Sequence, residues 1–404
     1  MLSVIDALSQ IVATVCPLPV IDVPVASALG RVLAAEVTAD LDSPPFDKAL
    51  MDGFAVRSED IRGERIDLRI IEEVTAGRVP QRSLSSGQAT RIMTGAMIPT
   101  GADAVVRIED VELDPAQPDR VIIKVPSIRP EQNVLRRGTS MRAGQRVMSA
   151  GRKLRAQELA ALTEMGQTQL QVRPQPRIAV LATGDELVPV EQVPGPGQIR
   201  NSNETMLAAQ IAQAGCSAMP LGVARDERVH LRERIAVGLE ADMLLLSGGV
   251  SAGKLDLVPS ELEQAGVEQV FHKINMKPGK PLWFGVLRRA DRPCYVFGLP
   301  GNPVSSMVCF ELFVRAAIRR LTGEQPELPQ PQMARLTHAH LHKDDRETYF
   351  PAAIWTENGS LCARLMNWHG SSDLQSTVEA NAMVVFPSLP AEYAAGAMVP
   401  VIEW

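Results

Sequence analysis

Two glycine-rich turns, with charged residues between them, are the stretches of this 404-residue chain best suited to hold an anion. The first, Ser247-Gly248-Gly249-Val250-Ser251-Ala252-Gly253-Lys254, follows the apolar run Met243 to Leu246 and leads into a helical pattern. Glycines let backbone amides approach a phosphate, and the start of a helix adds partial positive charge. The structural alternative is a tight strand-to-helix turn without a ligand. Gly248 to Lys254 nearly fits the phosphate loop of nucleotide hydrolases, but Leu255 stands where that loop needs Ser or Thr to bind magnesium. A different kind of phosphate site ranks above it. No G-x-G-x-x-G follows a strand either, which weakens a dinucleotide-binding reading.

The second turn, Gly298-Leu299-Pro300-Gly301-Asn302-Pro303-Val304-Ser305-Ser306, again offers amides and hydroxyls at a helix start. Its alternative is a helix start that merely ends a strand. Between the turns, Lys277-Pro278-Gly279-Lys280-Pro281 sets two ammonium groups on a proline-restricted backbone, a fixed cation pair unless it is only a solvated turn. Acidic residues recur at strand ends: Asp185 and Glu186 after Leu181, Asp226 after Val223, and Asp256 after the first turn. Carboxylates near phosphates bind magnesium, although each is also a candidate helix cap or surface charge, Asp226 above all. Farther upstream stand Met51-Asp52-Gly53-Phe54 and Thr94-Gly95-Ala96, where Asp-Gly is first a turn signal and Asp52 reads as structural.

These residues need a framework. Ser3 caps a helix with apolar positions Val4, Leu8, Ile11, Val12 and Val15, ended by Pro17 and Pro19. From about 23 to 143, short β-type runs such as Val105 to Ile108 and Val121 to Val125 alternate with Gly, Pro and Asp turns. A helical pattern returns over Ala156 to Met165, and Pro174 and Pro176 punctuate the chain. The expected division is a helical linker from residues 1–22 plus 144–173, an inserted β-rich domain at 23–143, an α/β domain at 174–324 and a small β-barrel-like tail at 325–404. Within the α/β part, strands Ile178 to Leu181, Met219 to Val223 and Met243 to Leu246 alternate with helices Glu204 to Ala214 and Glu227 to Leu239. Strands at Val270 to Ile274 and Cys294 to Phe297 and a long helix Val304 to Leu321 complete the pattern. Such alternation predicts a parallel sheet covered on both faces, with ligands at the carboxyl ends of its strands.

Composition narrows the function classes. The formal charge of -6 is too mild and too evenly spread to suggest non-specific nucleic-acid binding. Five dispersed cysteines form no close zinc or redox pair, no apolar stretch reaches membrane-spanning length, and a cytoplasmic enzyme is expected.

In this order, Ala182-Thr183-Gly184-Asp185-Glu186-Leu187, Ser247 to Gly253 with Asp256, Lys277 to Pro281 and Gly298 to Ser305 resemble the MoeA family of molybdopterin molybdenumtransferases, which includes the C-terminal part of gephyrin. The resemblance implies an elongated homodimer of four domains per chain, the third similar to molybdopterin adenylyltransferase. It implies that adenylylated molybdopterin and molybdate enter, and that molybdenum cofactor and AMP leave in a magnesium-dependent hydrolysis. By motif, Glu186, Asp226 and Asp256 would hold magnesium beside Lys277 and Lys280. Thr183, Gly184, Asp185, Ser247, Gly248, Gly249, Val250, Ser251, Gly253, Pro300, Gly301, Asn302, Pro303 and Ser305 would bind substrate. Asp52 and Thr94 would come from the partner subunit, and Arg346 and Ser371 would bind oxyanion. Further implied partners are molybdopterin adenylyltransferase and molybdoenzyme chaperones, and tungstate is an alternative metal source. The chain departs from the family at Ser140, where a carboxylate is usual, and at Ala49, where serine is usual. A gephyrin-type scaffold and an adenylyltransferase acting one step earlier are the competing functions.

Overall fold

The computed structural model describes residues 1–225, 227–250, 257–290 and 292–404. The chain forms two compact units, one of residues 1–35, 150–159 and 169–404, the other of 36–149 and 160–168.

The larger unit is organised by a six-stranded sheet in the order Ser217–Ala224, Arg177–Thr183, Met243–Ser247, Cys294–Leu299, Trp283–Leu287, Glu268–His272. All five residues of Met243–Ser247 are buried, as a strand covered on both faces requires. Alternate residues face opposite cores. Ile178, Val180, Met243, Leu245 and Phe297 pack with helices Ser202–Gln213 and Pro303–Cys309. Ala179, Leu181, Leu244, Leu246 and Val296 pack with helices Arg228–Gly238 and Val258–Gln264. Strict alternation in a parallel sheet is the period of two expressed on two apolar faces.

Five of the six strands run in one direction, the first four as directly paired parallel neighbours and Glu268–His272 through two reversals. Trp283–Leu287 runs antiparallel to both Cys294–Leu299 and Glu268–His272, so the expected all-parallel sheet is corrected to a mixed one. The connections on either side of Trp283–Leu287 are too short for a crossover helix, which forces the reversal. The expected continuous helix Val304 to Leu321 is also revised. A π-helical turn at Phe310–Val314 separates Pro303–Cys309 from Arg315–Thr322, and all five of its residues are buried.

The predicted N-terminal cap is present, with the Asp6 amide donating to Ser3 Oγ at 3.1 Å, and Val4, Ala7, Leu8 and Ile11 join the core beneath the sheet. The stretches read as a helical linker hold both expected helices, Val4–Thr14 and Ala156–Glu164, and strand as well. They contribute to a three-stranded sheet of Ile21–Pro24, Gln169–Arg173 and Val32–Leu33.

The tail closes as a small barrel. Glu347–Glu357, Ser360–Leu365, Gln332–Leu336, Met398–Glu403 and Ala382–Phe386 pair in that order, and the last pairs back to the first. Met276–Lys277, from the α/β part of the chain, adds to Glu347–Glu357 in parallel. The smaller unit carries its own six-stranded sheet, Ala104–Arg107, Gly53–Val56, Gln88–Ile92, Ile66–Val74, Arg120–Ile123 and Val111–Glu112, over a core of Phe54, Val56, Leu68 and Val106.

Candidate active site

Two neighbouring parallel strands end at the same level, Ser247 opposite Leu299, and the two glycine turns leave from those ends. The Gly248 amide donates to Leu299 O at 3.1 Å, so the turns start side by side. Gly248 has φ of 98°, and a Cβ there would lie 2.6 Å from Thr183 O; only glycine lets the turn press against the end of the Arg177–Thr183 strand. The arrangement fits the rule that open α/β sheets bind ligands at the carboxyl ends of their strands.

A cleft of about 1010 Å³ opens over these ends. Of the residues singled out in the sequence, Thr183, Gly184, Glu186, Ser247, Gly248, Gly249, Val250, Lys277, Lys280, Pro300, Gly301, Asn302, Pro303 and Ser305 line it, together with Arg346 and Ser371 from the tail. Asp185 instead lines a neighbouring depression with Arg225 and His230. Asp226, Ser251, Gly253 and Asp256 lie outside the described residues. Asp52 and Thr94 belong to the smaller unit, where both are exposed. Asp52 Oδ1 accepts from the Thr94 amide and from Thr94 Oγ1, each at 2.7 Å. The amide bond, then the hydroxyl, lowers the Asp52 pKa below the usual carboxylate value.

Lys277 and Lys280 are carried by the turn between Glu268–His272 and Trp283–Leu287. Lys277 Nζ lies 2.7 Å from Asp344 Oδ2, and Arg346 Nε lies 3.2 Å from Asp344 Oδ1. Lys280 is exposed and has no ion-pair partner among the described residues. Asn302 Nδ2 donates to Ser371 Oγ at 2.8 Å and the Val304 amide donates to Ser371 O at 3.0 Å, which docks the tail loop onto the second glycine turn.

Sequence reasoning missed Asn203, whose Nδ2 donates to Ser247 Oγ and to Gly301 O, each at 2.7 Å. A signal was available: Asn201 already caps the helix Ser202–Gln213, so a second asparagine two residues on was free for another task. Trp368, which lines the cleft, and Asp344, which pairs with two of its lining cations, were missed too, because tail residues brought there by folding carry no local signal. Thr183 Oγ1 and Asn203 Oδ1 are buried without a hydrogen-bond partner among the described residues, leaving unused polar capacity at the cleft floor. Among the described residues no group of three or more His, Cys, Asp or Glu is placed to hold a metal ion.

Three family models cover most of the chain: the MoeA N-terminal region (domain I and II) at residues 2–166, the probable molybdopterin binding domain at 179–320, and the MoeA C-terminal region (domain IV) at 334–404. A molybdopterin molybdenumtransferase of a Nostoc species is 35% identical over 368 residues, covering 89% of this chain and 83% of its own. The chain belongs to the molybdopterin molybdenumtransferase (MoeA) family. A Staphylococcus aureus molybdopterin molybdenumtransferase is 32% identical, with 98% and 94% covered. The solved structure of a molybdopterin biosynthesis MoeA protein from Pyrococcus horikoshii superposes with a TM-score of 0.81 at 29% identity, covering 100% of both chains. The family, the multidomain fold and the transferase class expected from the four motifs are borne out, and with them a place in molybdenum cofactor biosynthesis. No helix among the described residues is long and apolar enough to cross a membrane.

Proposed function

We propose that this chain transfers molybdenum from molybdate into adenylylated molybdopterin and releases AMP at the cleft over the strand ends. One observation supports this above the others: the two glycine turns line a single cleft with Lys277, Lys280, Arg346 and Glu186. That is more cationic and amide-rich surface than a strand end needs for its own stability. Backbone amides of Gly249 and Gly301 suit phosphate oxygens, because glycine permits close approach. The two ammonium groups line the cleft, where they can offset charge that develops on the phosphoanhydride during hydrolysis. Arg346 and Ser371 supply a guanidinium and a hydroxyl to a tetrahedral oxyanion.

Magnesium suits the donors present. Glu186 brings a carboxylate to the cleft wall, and a hard cation is held through one or two carboxylates plus substrate phosphate oxygens. Asp226 and Asp256 are the proposed companions of Glu186. When bound, the ion supplies positive charge to the phosphate oxygens. The chain's own contribution is to present Lys277 and Lys280 to the phosphates, to orient those phosphates on the two turns, and to offer a carboxylate for the water's proton.

The proposed working form is a cytoplasmic homodimer in which Asp52 and Thr94 of the partner subunit complete each cleft. The test is AMP release and active-cofactor formation by the purified chain supplied with adenylylated molybdopterin, magnesium, and molybdate or tungstate. Release of AMP with cofactor formation is expected, and it stops on chelation of magnesium. Tight binding of the pterin nucleotide without AMP release would overturn the proposal in favour of a scaffold.

A further inference from the structure

Asp344 lies behind the cleft wall, not on it. Its side chain is 14% exposed, whereas the two cations it contacts, Lys277 at 43% and Arg346 at 29%, both line the cleft. One carboxylate oxygen takes Lys277 Nζ at 2.7 Å and the other takes Arg346 Nε at 3.2 Å, so a single residue spaces the two cations. The backbone reinforces this placement. Met276–Lys277 pairs with Glu347 and Thr348, and Arg346 Nη1 donates to Met276 O at 3.3 Å. Lys277 and Arg346 therefore come from distant parts of the chain and are locked at one edge of the tail barrel.

The charges decide what this cluster does. Two cations and one carboxylate leave one net positive charge facing the cleft. A bare pair would leave two, and would hold any tetrahedral dianion tightly. We propose that Asp344 is a positioning and selectivity residue: it sets Lys277 and Arg346 at a fixed spacing and weakens their grip on simple dianions, so that an oxyanion is retained only when the other cleft groups also engage it. The inference rests on reading the cleft as an oxyanion site. A lysine already paired to a carboxylate gives up part of that pairing when it turns to a ligand, and the loss is the same for every anion. Molybdate recovers it through the dithiolene of the bound pterin. Sulfate, with no pterin dithiolene to bind, does not.

The experiment uses the full chain and its Asp344→Asn, Asp344→Glu and Lys277→Gln variants. Sulfate and molybdate affinities are measured by calorimetry, and sulfate inhibition of AMP release is measured in parallel. Asp344→Asn is expected to tighten sulfate on the order of tenfold, one Coulombic neighbour in a half-exposed setting, and to make turnover correspondingly sulfate-sensitive. Asp344→Glu is expected to restore weak sulfate binding. A merely structural role would change thermal stability, not the absolute affinity for sulfate or the sulfate sensitivity of turnover. Unchanged or weaker sulfate binding in a folded Asp344→Asn variant would overturn the proposal. If Lys277→Gln leaves both anion binding and turnover as in the parent chain, or if no variant binds either anion, the oxyanion reading of the cleft fails with it.

Discussion

Asn203 Nδ2 lies 2.7 Å from Ser247 Oγ, and the same amide group reaches Gly301 O at 2.7 Å, so one side chain sets the gap between the two glycine turns. If the turns hold different phosphate oxygens of one substrate, their spacing is part of the site. Asn203→Ala is expected to lower the rate of AMP release on the order of a hundredfold, because small misplacements of positioning groups are costly. The two lost hydrogen bonds cost about 1–3 kcal/mol of stability. Steady-state kinetics beside thermal melts separate the two effects, and a fully active variant would remove Asn203 from the positioning machinery.

Gly248→Ala tests the close approach of the first turn to Thr183. A methyl group 2.6 Å from Thr183 O at a φ of 98° is strained in both contact and backbone, at about 1–3 kcal/mol. The turn is expected to shift, so that KM for the pterin nucleotide rises while the unit stays folded. An unchanged KM would mean that the turn does not touch substrate.

By the motif resemblance, Ser140 takes the place of a carboxylate. It is exposed, and its amide donates to Ser43 O at 2.9 Å, so an acidic side chain there meets no packing obstacle. Ser140→Asp is therefore expected to keep the melting temperature nearly constant, as exposed substitutions do, and to raise turnover. Constant turnover in the folded variant would show that the site works without that carboxylate.

The acid limb of stability should depend on Glu158. Its side chain is 3% exposed and accepts from Arg152 Nη2 and Arg155 Nη2, each at 2.7 Å, and from the Arg155 amide at 3.0 Å. The Arg155 side chain, then Arg152, holds its pKa far below the ordinary 4.5. A depressed carboxylate contributes stability that is fully present above the unfolded value and is lost as pH falls toward the folded one. Denaturation profiles from pH 7 downward should show a loss beginning near 4.5, and Glu158→Gln should flatten it. An identical acid limb in the variant would assign the loss to other carboxylates.

The central strands were legible because burial on both faces requires near-continuous apolar runs, as Met243 to Leu246 shows. Trp283–Leu287 was not read as a strand: it follows directly on the Lys-Pro-Gly-Lys-Pro turn, and its partners lie on either side by hairpin, a relation that helix–strand alternation cannot reveal. The π turn escaped because, apart from Glu311, Phe310–Val314 is apolar and helix-like in composition, and nothing in residue type marks a change of helical pitch. At the site, the glycine turns and lysines announced themselves by residue type. Asp344 did not, since its role arises only when the tail strand pairs with Met276–Lys277.

That pairing constrains how the chain can be recombined. The barrel's outermost strand is encoded within the α/β part of the chain, before the connection that leads to the tail. Residues 325–404 are therefore not an exchangeable cassette. A chimaera that replaces them with a relative's tail while keeping residues 276 and 277 would offer Lys277 a foreign strand edge. The substitution would be felt in the cleft although no cleft residue of the α/β part had been altered.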